Sequence, residues 1–368
     1  MNDYLKKQII TYMGNKRKLL PEILKILDKI IEELGEKDLI SVDAFSGSGI
    51  VSRLLKTKSK VLYTNDIAGY SKTLNECFLF TPTQKEEKEI KKYIDKANNF
   101  AHTENKKDVP KWVRKHWAPQ GNIDKKDRVY FTEKNALLID KYMHFLYGTP
   151  LRYRPFILAQ ILVKVSMHNN TNGQFSAFYK DENGLGKFGG KKEIDIKRIT
   201  KDILLEYPIF CKNNCKINIS QMDTNNWIKT LPHVDVIYLD PPYNKHPYSI
   251  YYFMLDIINN WDTKMNIPDT YRGQPKNWIK SKYNSFSNAE KIFTDLIENI
   301  NAKFIILSYN NKGIIPTNNI QKILNQKGKV YRIPVEHKTY NKLKGIASYK
   351  REKKWEEVKE FIWLVDTR

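Results

Sequence analysis

The run Val234-Asp-Val-Ile-Tyr-Leu239 is almost wholly apolar and β-branched, and it stops at Asp240-Pro241-Pro242-Tyr243. A strand without a polar face has to be covered on both sides, as happens in a parallel sheet flanked by helices. Prolines carry no N–H, so the chain leaves the sheet at that point. An acid, two rigid residues and an aromatic ring are thereby placed at the carboxyl end of a strand, where open α/β sheets put their chemistry. The carboxylate can accept hydrogen bonds, the prolines can hold a carbonyl outward, and the ring can stack. That combination suits a flat heterocycle bearing an exocyclic amine. Taken alone, the four residues also fit a strand end with a proline turn and a surface tyrosine.

The rest of the chain repeats the strand–helix rhythm. Strand-like runs are expected at 39–45, 60–65, 215–220, 303–308 and 360–365. Leu19, Leu20, Ile23, Ile26, Leu27, Ile30, Ile31 and Leu34 recur at helical spacing ahead of the first strand. The alternation predicts an α/β fold with a parallel sheet. Residues 81–207 break the pattern. Thr83-Gln-Lys-Glu86 reads as a capping box opening a charged helix. Loop signals follow over 98–126, with aromatic and basic residues interleaved at Lys111-Trp-Val-Arg-Lys-His-Trp117. Arg152-Tyr-Arg-Pro155 leads into an apolar helix and then a polar, glycine-rich tract over 168–192. The expectation is an inserted, mostly helical domain over 81–207 with flexible tips suited to recognition. It would interrupt a domain made of residues 1–80 and 208–368. A smaller irregular segment, 261–285, precedes a second capping box at Ser287-Asn-Ala-Glu290.

Sixty-three lysines and arginines against 41 acidic residues leave a formal charge of +22 over 368 residues. Such an excess suits a polyanion, because each cation that meets a phosphate releases counterions. A lysine-, asparagine- and isoleucine-rich composition from AT-rich codons is the weaker explanation. Cys77, Cys211 and Cys215 make no disulfide framework, and the Cys211-x-x-x-Cys215 pair has no second cysteine pair to complete a zinc site. No metal site is expected. No apolar leader or membrane-length stretch is read in the sequence, so a soluble, cytoplasmic protein is expected.

Three further motifs carry chemistry. Asp43-Ala-Phe-Ser-Gly-Ser-Gly49 lies on a strand-to-helix turn, where glycine permits close approach of backbone to a ligand. It lacks the Gly-Lys-Ser/Thr ending of a P-loop, which argues against ATP. Asn65-Asp66-Ile67 ends the second strand, so Asp66 is placed either to bind ribose hydroxyls or to cap the next helix. Asp223, after the third strand, has the same two readings, with an adenine in place of the ribose. Thr11-Tyr-Met-Gly-Asn-Lys-Arg-Lys18 gathers three cations just before a helix, at the end of the helix dipole that disfavours them. That local conflict hints at function.

In this order the motifs resemble the DNA N6-adenine methyltransferases of the class that includes Dam. The carrying residues are Tyr12-Met-Gly-Asn-Lys16, Asp43-x-Phe-x-Gly-x-Gly49, Asn65-Asp66, Asp240-Pro-Pro-Tyr243 and Leu307-Ser-Tyr-Asn-Asn-x-Gly313. The tract His168-Asn-Asn-Thr-Asn-Gly-Gln-Phe-Ser-Ala-Phe-Tyr179 and Lys338-Thr-Tyr-Asn-Lys-Leu-Lys344 belong to the same resemblance, which covers nearly the whole chain. It implies a doubly wound, Rossmann-like methyltransferase sheet, S-adenosylmethionine as methyl donor and double-stranded DNA as substrate. Residues 81–207 would be the target-recognition domain. It further implies a modification enzyme of a restriction–modification system, monomeric or weakly dimeric, with a cognate endonuclease as a possible partner. Asp240, Pro241, Pro242 and Tyr243 would hold a flipped adenine. Tyr12, Met13, Gly14, Asn15 and Lys16 would flank the methionine part of the cofactor. Asp43, Phe45, Gly47 and Gly49 would form its floor, Asp66 with Ile67 would hold the ribose, Asp223 would reach the adenine, and Asp240 would border cofactor and base. Where the family often has an aromatic residue followed by Ala-Gly-Gly-Lys, this chain has Tyr12-Met-Gly-Asn-Lys16. Asp-Pro-Pro-Tyr also occurs in some RNA base methyltransferases, which is the alternative reading. A cytosine-N4 enzyme, usually with serine at the first position, and a non-catalytic DNA-binding module fit the motifs less well.

Overall fold

The run Val234–Leu239 is a strand buried along its whole length, at the centre of a seven-stranded sheet. The computed structural model describes residues 2–103, 108–276, 278–335 and 359–368. The tract Lys338–Lys344 lies outside the described residues. The strands are β1 (Leu39–Asp43), β2 (Ser59–Asn65), β3 (Lys216–Ser220), β4 (Val234–Leu239), β5 (Ala302–Asn310), β6 (Lys329–Val335) and β7 (Glu360–Asp366). Their order is β3-β2-β1-β4-β5-β7-β6.

Pairing is parallel from β3 to β5, but β7 runs antiparallel to both β5 and β6. The expected parallel sheet therefore ends at β5 and continues as an antiparallel edge. β6 was not anticipated: Lys329-Val-Tyr-Arg-Ile-Pro-Val335 carries a proline and alternating polar positions, the composition of a sheet margin rather than its centre.

Successive side chains of β4 feed two separate cores. Val236 and Tyr238 pack with Leu20, Ile23 and Leu27 of helix Leu20–Leu34 and with Leu54 of helix Ile50–Lys56. Val234, Ile237 and Leu239 pack instead with Phe293 and Leu296 of helix Ala289–Glu298 and with Ile320 and Leu324 of helix Thr317–Asn325. Helices thus cover both faces, and burial on each side explains why the strand has no polar face. The chain winds outward from β1 in one direction and from β4 in the other, so the switch point lies between them, and a crevice opens beyond their carboxyl ends.

The helices of residues 81–207 (Gln84–Thr103, Trp112–Trp117, Glu133–Tyr147 and Arg154–Met167) build one apolar cluster together with Gly69–Phe78 and Phe253–Asn260. The box at Thr83 forms: its hydroxyl accepts from the Glu86 N–H, and Glu86 Oε2 accepts from the Thr83 N–H. The one expected at Ser287 does not. Helix Ala289–Glu298 starts after Asn288 without a side-chain cap, and Glu290 accepts from Asn319 instead.

Two other expectations are corrected. The interleaved aromatics at 111–117 are helical and face inward, with Trp112 edge-on to Trp117 and to Trp261 at 5.4 and 5.0 Å. Burial of two large rings prevailed over the local loop signals. Asn169, Asn170 and Thr171 are fully buried rather than part of a flexible tip. Asn170 donates to the Val129 and Lys187 carbonyls, and Arg198 donates to the carbonyls of Asn169 and Thr171. Cys77, Cys211 and Cys215 are free thiols. Among the described residues no helix is long and apolar enough to cross a membrane.

Candidate active site

A cleft of about 1080 Å³, open to solvent, lies at the carboxyl ends of β1, β2 and β4. Of the residues singled out from sequence, Tyr12, Gly14, Asn15, Lys16, Phe45, Gly47, Asp66, Ile67, Asp223, Asp240 and Pro242 line it. Met13, Asp43, Gly49, Pro241 and Tyr243 are not among its lining residues.

The loop before the first long helix resolves its own charge conflict by sending Lys16 inward. Lys16 is 3% exposed, and its Nζ lies 2.8 Å from Asp240 Oδ2 and 3.4 Å from Glu360 Oε1. It also donates to the Gly14 carbonyl at 2.7 Å. Burial works against the lysine's charge, but Asp240 and the other acidic and phenolic groups around it outweigh that and hold its pKa well above the ordinary value. Burial pushes the Asp240 carboxyl up to about 6 even though Lys16 pulls it down. Its second oxygen, Oδ1, is buried and has no hydrogen-bond partner. A buried acceptor left open at a cleft is costly unless something else donates to it.

Tyr12 is clamped in a ladder of rings, 4.6 Å from Tyr252 and 5.1 Å from Tyr248. Its ring covers the glycine turn so closely that a Cβ on Gly47 would sit 3.0 Å from it. The Met13 N–H donates to Tyr252 Oη at 2.5 Å, and Gln174 donates to the Met13 sulfur at 3.3 Å. The tract around Asn170 and Gly173 therefore abuts the same loop. Gly14 takes φ +73°, and a Cβ there would lie 2.7 Å from Tyr243 Oη.

On the floor, Asp66 Oδ2 accepts from the Gly47 N–H at 2.7 Å and Oδ1 from the Ala68 N–H at 2.9 Å. These bonds fix the turn after β1 to the end of β2. Asp43 is fully buried beneath the turn, accepting from Ser52 Oγ, with Oδ1 unpartnered; burial pushes its carboxyl up to about 7. Gly49 serves packing: a Cβ there would meet Asn75 Oδ1 at 2.6 Å. Asp223 lines the cleft and caps helix Thr224–Ile228 through the Asn226 N–H. Phe45 meets Tyr283 edge-on at 5.5 Å.

Tyr243 is part-buried, edge-on to Tyr309 at 5.7 Å, with Lys16 Nζ 5.6 Å from its ring centre. Its carbonyl accepts from the Ile314 N–H, so the segment after β5 buttresses the proline turn. Sequence reading missed Tyr248, Asp256, Tyr283 and Glu360. The first two follow Asp240 on helical spacing that reads as ordinary core; Tyr12 stacks on Tyr248, and both residues line the cleft. Among the described residues no group of three or more His, Cys, Asp or Glu side chains is arranged to hold a metal.

A sheet in this order, doubly wound and with its cleft at the switch point, is the fold of the S-adenosylmethionine-dependent methyltransferases. More narrowly, the chain belongs to the D12 class N6 adenine-specific DNA methyltransferases, whose family model matches residues 12–312. It is similar to the type II methyltransferase M.NlaIII of Neisseria lactamica, 25% identical over 366 residues that cover 97% of this chain and 99% of that one. Type II methyltransferase M.CviAII of Paramecium bursaria Chlorella virus 1 is 26% identical over 90% of this chain and 92% of its own. Modification methylase LlaI of Lactococcus lactis subsp. lactis is 27% identical over 83% of this chain but only 47% of its own, so the chain spans about half of that longer relative. The RNA reading has no support in this company.

Proposed function

We propose that this adenine-specific DNA methyltransferase takes its methyl group from S-adenosylmethionine and acts on an adenine flipped out of duplex DNA, as the modification enzyme of a restriction–modification system. The observation that carries the reading is Asp240, with one oxygen held by buried Lys16 and the other buried and open. Adenine N6 is a poor nucleophile because its lone pair is delocalised into the ring. Asp240 Oδ1 accepts one N6 hydrogen and the Pro241 carbonyl the other, which favours a pyramidal nitrogen with a localised pair. The proton leaves after transfer, so no strong base is needed. Tyr243 offers its face to the extruded base.

The cleft fits the donor. Asp66, Asp240 and Asp256 line it, Asp43 lies beneath, and among the described residues Lys16 is the only cationic side chain in the lining. An excess of carboxylates favours a positively charged ligand. The glycine turn at Gly47 leaves room for close approach. When bound, S-adenosylmethionine supplies a methyl group activated on a sulfonium.

N6 of a stacked base is out of reach, so the adenine has to leave the duplex at a cost of a few kcal/mol. Residues 81–207 and the segment after Trp261 grip the phosphates that offset it. Arg128 donates to the Pro268 and Thr270 carbonyls and Trp117 to that of Arg272, which ties the insert to a segment exposing Lys276, Lys280 and Lys282. Ile279 and Ser281 of that segment reach the cleft rim. The type II and modification-methylase names of the relatives support a role opposite an endonuclease of the same specificity. Mapping N6-methyladenine in DNA of an expressing host tests the reading. One short sequence context methylated on most copies is expected, and unmethylated DNA beside methylated transcripts would overturn it.

A further inference from the structure

Asp256 sits in the helix Phe253–Asn260 and lines the cleft beside the end of β2. The helix is held there by its neighbour: Thr73 Oγ1 donates to Asn259 Oδ1 at 2.7 Å, across the packing with helix Gly69–Phe78. The two nearby carboxylates differ in how they are satisfied. Each oxygen of Asp66 already accepts a backbone N–H. Asp256 is part-buried, yet no described residue donates a hydrogen bond or supplies an ion pair to its carboxylate. Burial, reinforced by the charge of Asp66, pushes its carboxyl up to about 7. A structural account is available, since Asp256 lies in the first turn of its helix, where an acid is favoured by the dipole. That account leaves unexplained why an acid faces a ligand cleft next to another acid.

We infer that Asp256 is a second ribose-binding carboxylate, set opposite Asp66 so that the two acceptors take the adjacent hydroxyls of the bound nucleoside. Two neighbouring hydroxyl donors match two neighbouring acceptors, and a hydroxyl supplies Asp256 with the donor that the protein does not. The inference rests on the reading of the cleft as a nucleoside-cofactor site, and it adds a residue outside the motifs of the sequence.

Calorimetric binding of S-adenosylhomocysteine, adenosine and 2′,3′-dideoxyadenosine to wild type and Asp256→Asn tests it. The variant should melt within a degree or two of wild type. It should lose about tenfold in affinity for adenosine and S-adenosylhomocysteine alike, the loss expected for a hydrogen bond to a charged acceptor. Wild type and variant should bind the dideoxy nucleoside equally. Unchanged adenosine affinity in the variant would overturn the inference. A loss confined to S-adenosylhomocysteine would overturn it too, because it would assign Asp256 to the amino-acid end of the ligand. Failure of wild type to bind S-adenosylhomocysteine at all would instead remove the cofactor reading on which it rests.

Discussion

Buried Lys16 Nζ and part-buried Asp240 Oδ2 lie 2.8 Å apart in a pair that joins the loop before the first long helix to the end of β4. Glu360 at the start of β7 approaches the same ammonium at 3.4 Å, so three distant segments meet at one cation. The pair leaves Asp240 half used: one oxygen is fixed in position and the other is open.

The first prediction concerns pH. The Asp240 carboxyl is raised to about 6 by burial, against the pull of Lys16. Its ionised form is the working one, so kcat/KM should be level above that pH and fall as pH drops through about 6. Asp43 and Asp256, raised to about 7, also titrate nearby, but Asp240 is the one of the three with which Lys16 is paired. Lys16→Met removes the cation that favours the Asp240 carboxylate, and the acid limb should therefore move to higher pH. A limb that stays in place in the variant would show that Lys16 does not tune Asp240.

A second prediction tests the close packing of the loop. Gly14 adopts φ +73°, and a Cβ there would come within 2.7 Å of Tyr243 Oη. Gly14→Ala strains the backbone by about 1 kcal/mol or more and displaces the ring beside the proline turn. Turnover should fall by at least about tenfold, because misplacement of a reacting group by even an ångström is expensive. Activity near that of wild type would mean that the loop and ring move freely.

Charge gives a third. Not all of the basic excess faces DNA. Arg53 is buried, donating to the carbonyls of Tyr4, Lys7 and Gln8, with its guanidinium 3.8 Å from the Phe78 ring centre. Arg53→Met leaves those acceptors short and should cost about 3–5 kcal/mol in urea unfolding. Lys280 is exposed, and Lys280→Ala should leave stability alone while lowering the slope of log affinity against log salt by about 0.9. An unchanged slope would take Lys280 out of the phosphate-gripping surface.

Much of the architecture was legible because it is written locally. The five parallel strands show as apolar runs, and Asp66, Lys16 and Asp240 stand at motif positions that chemistry alone made suspect. What escaped depends on partners distant in sequence. β6 reads as polar chain until β7 pairs with it. Trp112 and Trp117 look like loop residues until Trp261 and the surrounding helices enclose them. Tyr248 and Asp256 look like parts of core helices until Tyr12 stacks on one and the other joins Asp66 in the cleft lining. Glu360, at the start of a strand, gives no local sign that it will share Lys16 with Asp240.

The central claim is that the open oxygen of Asp240 holds the target amine, and transfer of labelled methyl from S-adenosylmethionine to plasmid DNA tests it most directly. Wild type should label adenine N6. Asp240→Ala, with S-adenosylhomocysteine affinity checked separately, should fold and lose essentially all transfer. Retention of more than about a tenth of wild-type turnover, a barrier change of only about 1.4 kcal/mol, would contradict the account.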